Sequence, residues 1–301
     1  MVTSLLLAFT LTAIDPAAGT TGFDFLRLAP TAREAALGGA AAASADGALA
    51  FWFNPAHAAA GDGARAHVGY LNYVAGIHMG AAAYAQPFGP GRGAGIGVSY
   101  LNSGTMKRTD EQGRELGTFG VSYADVNASA ATQLLDGLIA GIGIQGLYGS
   151  IDTFFALGLA ANIGATYQLP VPGLTAGFSA ANLGAQVKAF RDSSDMMPMD
   201  FALGLAWQPN PALNFALDVH KPLDNRLNFR VGVEGWVADL LVLRAGYNSL
   251  GTDYMAGTGD DILAGFSTGL GLRWRSYQLD YCFVPMIQLG MAHRISLAFS
   301  L

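Results

Sequence analysis

Large apolar side chains occupy every second position through much of the C-terminal half of the chain. From Phe201 to Trp207 they take each odd position, with Ala and Gly between them. Leu213, Phe215, Leu217 and Val219 alternate with Asn214, Ala216, Asp218 and His220. Leu227, Phe229, Val231 and Val233 alternate with Asn228, Arg230, Gly232 and Glu234, and the period returns at 270–275, 277–283 and 294–301. Successive side chains of a strand point to opposite faces, so each stretch predicts a two-faced β-strand. Fourteen strands are expected, near 64–74, 76–86, 93–103, 117–129, 137–149, 155–168, 174–183, 200–208, 212–220, 227–236, 240–248, 263–274, 276–283 and 291–301. The gaps after even strands are short (PFGPGR, LPVPG, QPNP, VAD), whereas the long gaps, 104–116, 184–199 and 249–262, all follow odd strands. Bacterial barrels have an even strand number, short periplasmic turns and longer extracellular loops. The pattern therefore predicts an all-β fold, an antiparallel transmembrane barrel of about 14 strands whose long gaps lie at the cell surface.

One stretch does not alternate. Arg33 to Ala60, REAALGGAAAASADGALAFWFNPAHAAA, is nearly all Ala and Gly. Ala favours helix because it loses no side-chain entropy, while Gly38-Gly39 and Asp46-Gly47 divide the stretch into two short pieces. Pro55 biases Asn54 away from the α region and ends the second piece. Taken alone, a segment without a polar face reads as a buried helical hairpin of a soluble core. Followed by a barrel, it reads as a small N-terminal helical plug in the lumen. The expected division is a signal segment at 1–19, a plug at 20–63 and a transmembrane β-barrel at 64–301. The signal reading rests on the apolar stretch from Leu5 to Ile14 and on Ala17-Ala18-Gly19, although no basic residue precedes them.

Composition sharpens the membrane reading. Of 301 residues 51% are hydrophobic and 13% charged, against roughly 25% charged in soluble domains. No run of 18 apolar residues follows the N-terminus, so no helical span is available. A soluble sandwich would alternate as well, but here the polar set is rich in Gly, Ala and Ser and thin in Lys and Glu, as suits a crowded lumen. The net charge of −6 argues against nucleic acid as a partner. Cys282 is the one cysteine, which excludes an intrachain disulfide and a cysteine zinc site.

The charges on the inward faces are Asp218, Arg230, Glu234, Arg244, Arg273, Arg275 and Asp280, expected as a paired lumen network. Arg33 of the plug is expected to meet Asp218, Glu234 or Asp280. No enzyme is read here: the five His are scattered and neither a GxSxG elbow nor an HExxH pair occurs. His220 and Asp218 read as a solvated rim pair. Asp253, Asp260 and Asp261 share a loop that a calcium ion could use, but their spacing matches no EF-hand. No cofactor is expected.

The Ala/Gly stretch closing on Asn54-Pro55-Ala56 resembles the plug of FadL-type barrels. Phe23-Asp24-Phe25-Leu26, Ala32-Arg33, Ala35-Ala36-Leu37-Gly38-Gly39 and Phe53-Asn54-Pro55-Ala56, continued by Tyr70 to Ile77, Gly104 to Gly113 and Asn182 to Gln186, resemble one branch of that superfamily, the PorV/PorQ family of the type IX secretion system. The Phe23–Leu26 entry and the 104–113 loop point to it most specifically. The resemblance implies a plugged fourteen-stranded barrel in outer-membrane lipid that anchors a PorZ-like surface protein and other attachment-complex subunits, with no catalytic residue of its own. Its plug positions here are Arg33, Gly38, Gly39, Trp52, Asn54 and Pro55. Two functions follow, a surface anchor or a FadL-like channel for hydrophobic small molecules. The modest, mostly polar outer loops favour the anchor, with Lys107, Arg108, Asp110, Glu111 and Arg114 in one docking loop and Met196, Met197 and Met199 as the apolar centre of another.

Overall fold

The computed structural model describes residues 15–238, 240–255, 257 and 259–301, so most of the expected signal segment lies outside the described residues. The alternating stretches form strands β1 (Arg65–Asn72), β2 (His78–Gly89) and β3 (Arg92–Asn102). A short pair, β4 (Met106–Thr109) and β5 (Glu115–Phe119), interrupts the series. It resumes with β6 (Val121–Leu135), β7 (Leu138–Ile151), β8 (Phe154–Gln168), β9 (Leu174–Lys188) and β10 (Asp200–Asn210). The last six are β11 (Leu213–Pro222), β12 (Asn228–Val237), β13 (Leu241–Asn248), β14 (Phe266–Trp274), β15 (Tyr277–Pro285) and β16 (Met291–Ser300). Apart from β4 and β5, which pair only with each other, these strands close into one barrel of fourteen, with β1 bonded to β16. Every pairing is antiparallel up-and-down, as expected for strands joined by tight turns.

Alternation becomes sidedness in the closed sheet. On β10, Leu203 is 64% exposed while its inward neighbours Ala202 and Gly204 are buried. On β7, Ile142 and Ile144 face out on the same footing. The outward face is thus apolar and the inward face small or polar, the arrangement a barrel takes in lipid. Among the described residues no helix is long and apolar enough to cross a membrane.

The connections at one end of the barrel run from two to five residues (90–91, 136–137, 169–173, 211–212, 238–240, 275–276). The long ones, 103–120, 189–199 and 249–265, all lie at the other end. Two details differ from the sequence reading. The fourth barrel strand starts at Val121 and runs to Leu135, because residues 106–119 fold back on themselves as the β4–β5 ribbon. The Ala-rich stretch also holds less helix than its propensity suggests: one α-turn, α1 (Ala32–Ala36), followed by short 3-10 turns at Ala48–Trp52 and Pro55–Ala59. Gly38, Gly39 and Gly47 adopt φ of 70°, 82° and 81°, a left-handed bend that ends each piece before a second turn forms.

Candidate functional site: the plugged lumen

The chain before β1 runs the length of the lumen. It starts at the long-loop end, where the amide of Gly22 donates to the Met196 carbonyl at 2.9 Å, and leaves at the short-turn end beside Leu301. Backbone meets backbone along the way. A Cβ on Gly246 would stand 2.1 Å from the Gly38 nitrogen, so β13 carries no side chain where the plug bends.

Arg33 projects from α1 onto β12. Its Nη2 and Nε donate to the two carboxylate oxygens of Glu234 at 2.8 and 3.0 Å, and its Nη1 donates to the Ser44 carbonyl at 2.8 Å. Glu234 also accepts from Arg244 Nε at 2.5 Å, and Arg244 Nη1 donates to Asp280 at 2.6 Å. Two guanidinium groups and two carboxylates thus form a buried chain from plug to wall. Glu34 sits fully buried beside it, bonded to Thr31 and to Arg33. Farther along, one oxygen of Asp218 accepts the amides of Ala41 and Ala42 at 2.7 and 2.8 Å, and Arg230 donates to the Gly39 carbonyl at 3.3 Å. Charge-assisted bonds of this kind are about twice as strong as neutral ones.

The opposite side of the plug is held without ion pairs. The Asn54 Oδ1 caps its own 3-10 turn through the Ala56 amide at 3.0 Å, and its Nδ2 donates to Ala42 and Ala165 carbonyls. Pro55 starts that turn, where its missing N–H costs nothing. Trp52 stacks on Phe51 and donates from Nε1 to Asp125 on β6 at 2.7 Å.

Several expected site residues stand elsewhere. Arg275 lies not on an inward strand face but in the two-residue β14–β15 turn, with φ 53° and its guanidinium over Trp274, because the strand ends one residue before it. Arg273 stays at the short-turn mouth, 4.0 Å over Trp236 and bonded to Gln278. His220 and Asp218 are buried rather than solvated, since the plug covers them; His220 Nδ1 bonds Asp200 at 2.6 Å. The methionine patch is not a surface centre either. Met197 is fully buried among Phe23, Phe25, Leu71 and Leu147, with Met199 packed against that cluster, because the 189–199 connection folds inward over the N-terminal segment. Met196 alone is exposed, and its backbone bridges Thr21.

The charges of the β4–β5 ribbon are exposed and largely self-paired: Lys107 with Glu115, Arg108 with Asp152, and Arg114 with Asp110 at 2.6 Å. Glu111 is exposed at its tip. Asp253 pairs with Arg226 at 2.6 Å, and among the described residues no group of three His, Cys, Asp or Glu could hold a metal. The sequence pattern does not single out Glu34 or Asp125, although Asp125, Asn127 and Ser129 alternate with Val126 and Ala128 as clearly as the strands of the C-terminal half.

Two larger cavities flank the plug, beside a third of about 130 Å³ between Asp46–Ala48 and the wall. One of about 800 Å³ opens at the short-turn end and is polar, lined by Asp46, Gln208, Asn214 and Arg273. The other, about 600 Å³, lies toward the long-loop end between plug and wall. Leu26, Leu28, Pro30, Val284 and Met286 give it an apolar stretch, and its lining also carries Tyr73, Asn182 and the charged Arg27, Asp200, Arg230 and Arg294. Burial pushes the Tyr73 hydroxyl up to about 12, so it stays a donor at any physiological pH.

No family profile and no curated relative matches the chain. Solved structures do. The Ralstonia pickettii toluene transporter TbuX superposes over 93% of this chain and 97% of its own, with a TM-score of 0.64 at 15% identity. The shared feature is the fold, a closed antiparallel barrel. The monoaromatic hydrocarbon channel CymD gives 0.63 at 13% identity over 93% of this chain and 99% of its own. A Pseudomonas aeruginosa FadL homologue gives 0.53 at 15% over 97% and 99%. At these identities the likeness concerns the fold.

Proposed function

We propose that this barrel binds small hydrophobic molecules between plug and wall and passes them across the outer membrane, with its long-loop end outside the cell. The carrying observation is the 600 Å³ cavity of the long-loop half, lined by Leu26, Leu28, Val284 and Met286. Ligand sites are concave and combine apolar lining with placed polar groups. Here the apolar stretch lies beside Tyr73 and Asn182, with Arg27, Asp200, Arg230 and Arg294 also on the wall. The hydrocarbon specificity of TbuX and CymD, on the same fold, adds support. Purified protein should bind toluene in detergent, and Met286→Trp, which fills the cavity from a loop position, should abolish binding. Wild-type and filled protein binding toluene alike would sink this reading.

A second reading keeps the barrel as a type IX surface anchor of PorQ type, holding a PorZ-like protein. The residues of the PorV/PorQ resemblance favour it, and so does the β4–β5 ribbon, which pairs with no barrel strand and has Leu116 62% exposed. With Met197 and Met199 folded inward, this ribbon is the larger docking element that remains. Removing residues 106–119 should release a co-purifying surface protein if the anchor reading holds, and should leave toluene binding unchanged under the channel reading.

A further inference from the structure

At the long-loop rim two cations lie on exposed aromatic rings, one of them, Phe155, on the outward face of β8 with Leu157 and Leu159. Phe154 and Phe155 open β8 and are both exposed. Lys188, the last residue of β9, holds its Nζ 3.1 Å from the centre of the Phe155 ring, and Arg191 stands 5.0 Å over Phe154. Tyr148 of β7 stacks on Phe155 with centroids 6.3 Å apart. Aromatic rings at this height form the girdle that marks the boundary between hydrocarbon and headgroups. A cation on the outer side of such a ring keeps its stem in the apolar layer and its charge at headgroup level.

The nearby acids leave these two cations available. Asp152 is taken by Arg108. Asp195 turns toward the lumen mouth, its amide donating to Gln186 at 3.0 Å and its Cβ close to Gly22. Asp192, next to Arg191 in the chain, is the acid that remains in the segment. A ring face offers a cation only a weak electrostatic partner, so an anion arriving at the same height adds to the contact instead of displacing it.

We propose that Lys188 and Arg191, over Phe154 and Phe155, form a binding site for the phosphate groups of an outer-leaflet glycolipid of the lipid A type. The site rests on the long-loop end facing outward, and it is independent of what the lumen carries. A rim site of this kind would order the glycolipid against the β8–β9 wall, beside the ribbon at Arg108.

Native mass spectrometry of detergent-purified protein tests it, with three probes: bisphosphorylated lipid A, the same lipid A with its phosphates removed, and phosphatidylglycerol. Lipid A should be retained in preference to the other two. The double variant Lys188→Gln, Arg191→Gln should retain it about thirtyfold less, and either single variant about fivefold less, as expected for two headgroup-level cations. Lys107→Gln, on the ribbon, should retain it like the wild type. Unchanged retention in the double variant, or retention that ignores the phosphates, would overturn the proposal. Equal retention of phosphatidylglycerol would reduce the site to general phosphate adhesion and overturn the glycolipid assignment. Heat-modifiable migration on gels confirms that each variant is a folded barrel. Maleimide labelling of Gln112→Cys on intact cells, in a Cys282→Ser background, reports separately whether the long-loop end is outside.

Discussion

The two sides of the plug are fastened by different chemistry. On the β11–β15 side, Arg33, Glu234, Arg244 and Asp280 form a buried ionic chain, and Asp218 and Arg230 hold the backbone of the Gly38–Ala42 bend. On the β6–β8 side, Phe51, Trp52, Asn54 and Pro55 are held by packing and by bonds to neutral carbonyls, with Asp125 the one carboxylate among these contacts. Ionic fastening concentrates its strength in a few atoms, since a charge left without its partner in the interior is costly. Packing spreads the strength over many contacts, each small. A plug that moves should therefore yield on the packed side first and pivot about the ionic side.

The sharpest way to break that contrast is to remove one ionic partner. Arg33→Leu leaves Glu234 with Arg244 alone and should destabilise the plugged state by about 3–5 kcal/mol. A lower unfolding temperature and frequent opening in single-channel recordings would register this. Glu234→Leu in the same chain should restore part of the loss, which identifies the pair rather than bulk as the cause.

Size changes come next. Gly246→Val places a branched side chain where a Cβ already lies 2.1 Å from the Gly38 nitrogen. Overpacking of this sort costs roughly 1–3 kcal/mol, and here it should displace the plug bend while the barrel still closes. Protease sensitivity of the plug, compared with the intact gel migration of the barrel, separates the two effects. On the packed side, Asn54→Ala removes a cap and two bonds to carbonyls and should cost about 0.5–2 kcal/mol in thermal unfolding. A loss as large as that of Arg33→Leu would erase the proposed difference between the sides.

The smallest effect lies in the ribbon. The Arg114 amide donates to Asp110 at 2.8 Å, and with the Arg114 and Gln112 contacts it holds the Asp110 carboxyl below the usual carboxylate range. A depressed carboxylate contributes order that is present above its unfolded pKa and is lost as pH falls through the folded value. The ribbon turn should accordingly stay ordered through mild acid and loosen only below the ordinary carboxylate range. Amide exchange at Gln112 and Arg114 measured against pH checks this.

Most of the barrel is legible in the sequence because lipid and lumen impose opposite chemistry on alternate residues. Phe201 to Trp207 alternates in composition and is correspondingly sided in space. The parity of long and short gaps likewise survives as two ends of unlike character. The plug is less legible, since Ala propensity states a preference for helix but not the tight approach to the wall that Gly38 and Gly39 serve. Arg275 continues the alternation of β14 in letters, yet the chain turns before it reaches a second inward position. Met197 shows why loop chemistry misleads: an apolar run in a connection reads the same whether it faces a partner or folds under the loop. Only the Phe23 cluster in the structure decides between them.

The measurement that bears most directly on the proposed passage is the rate of toluene uptake through the barrel in cells that carry either the wild type or Met286→Trp. Filling the cavity that Leu26, Leu28, Val284 and Met286 line should bring uptake down to the rate of cells without the barrel, at equal outer-membrane abundance. Uptake by the filled variant at the wild-type rate would contradict it.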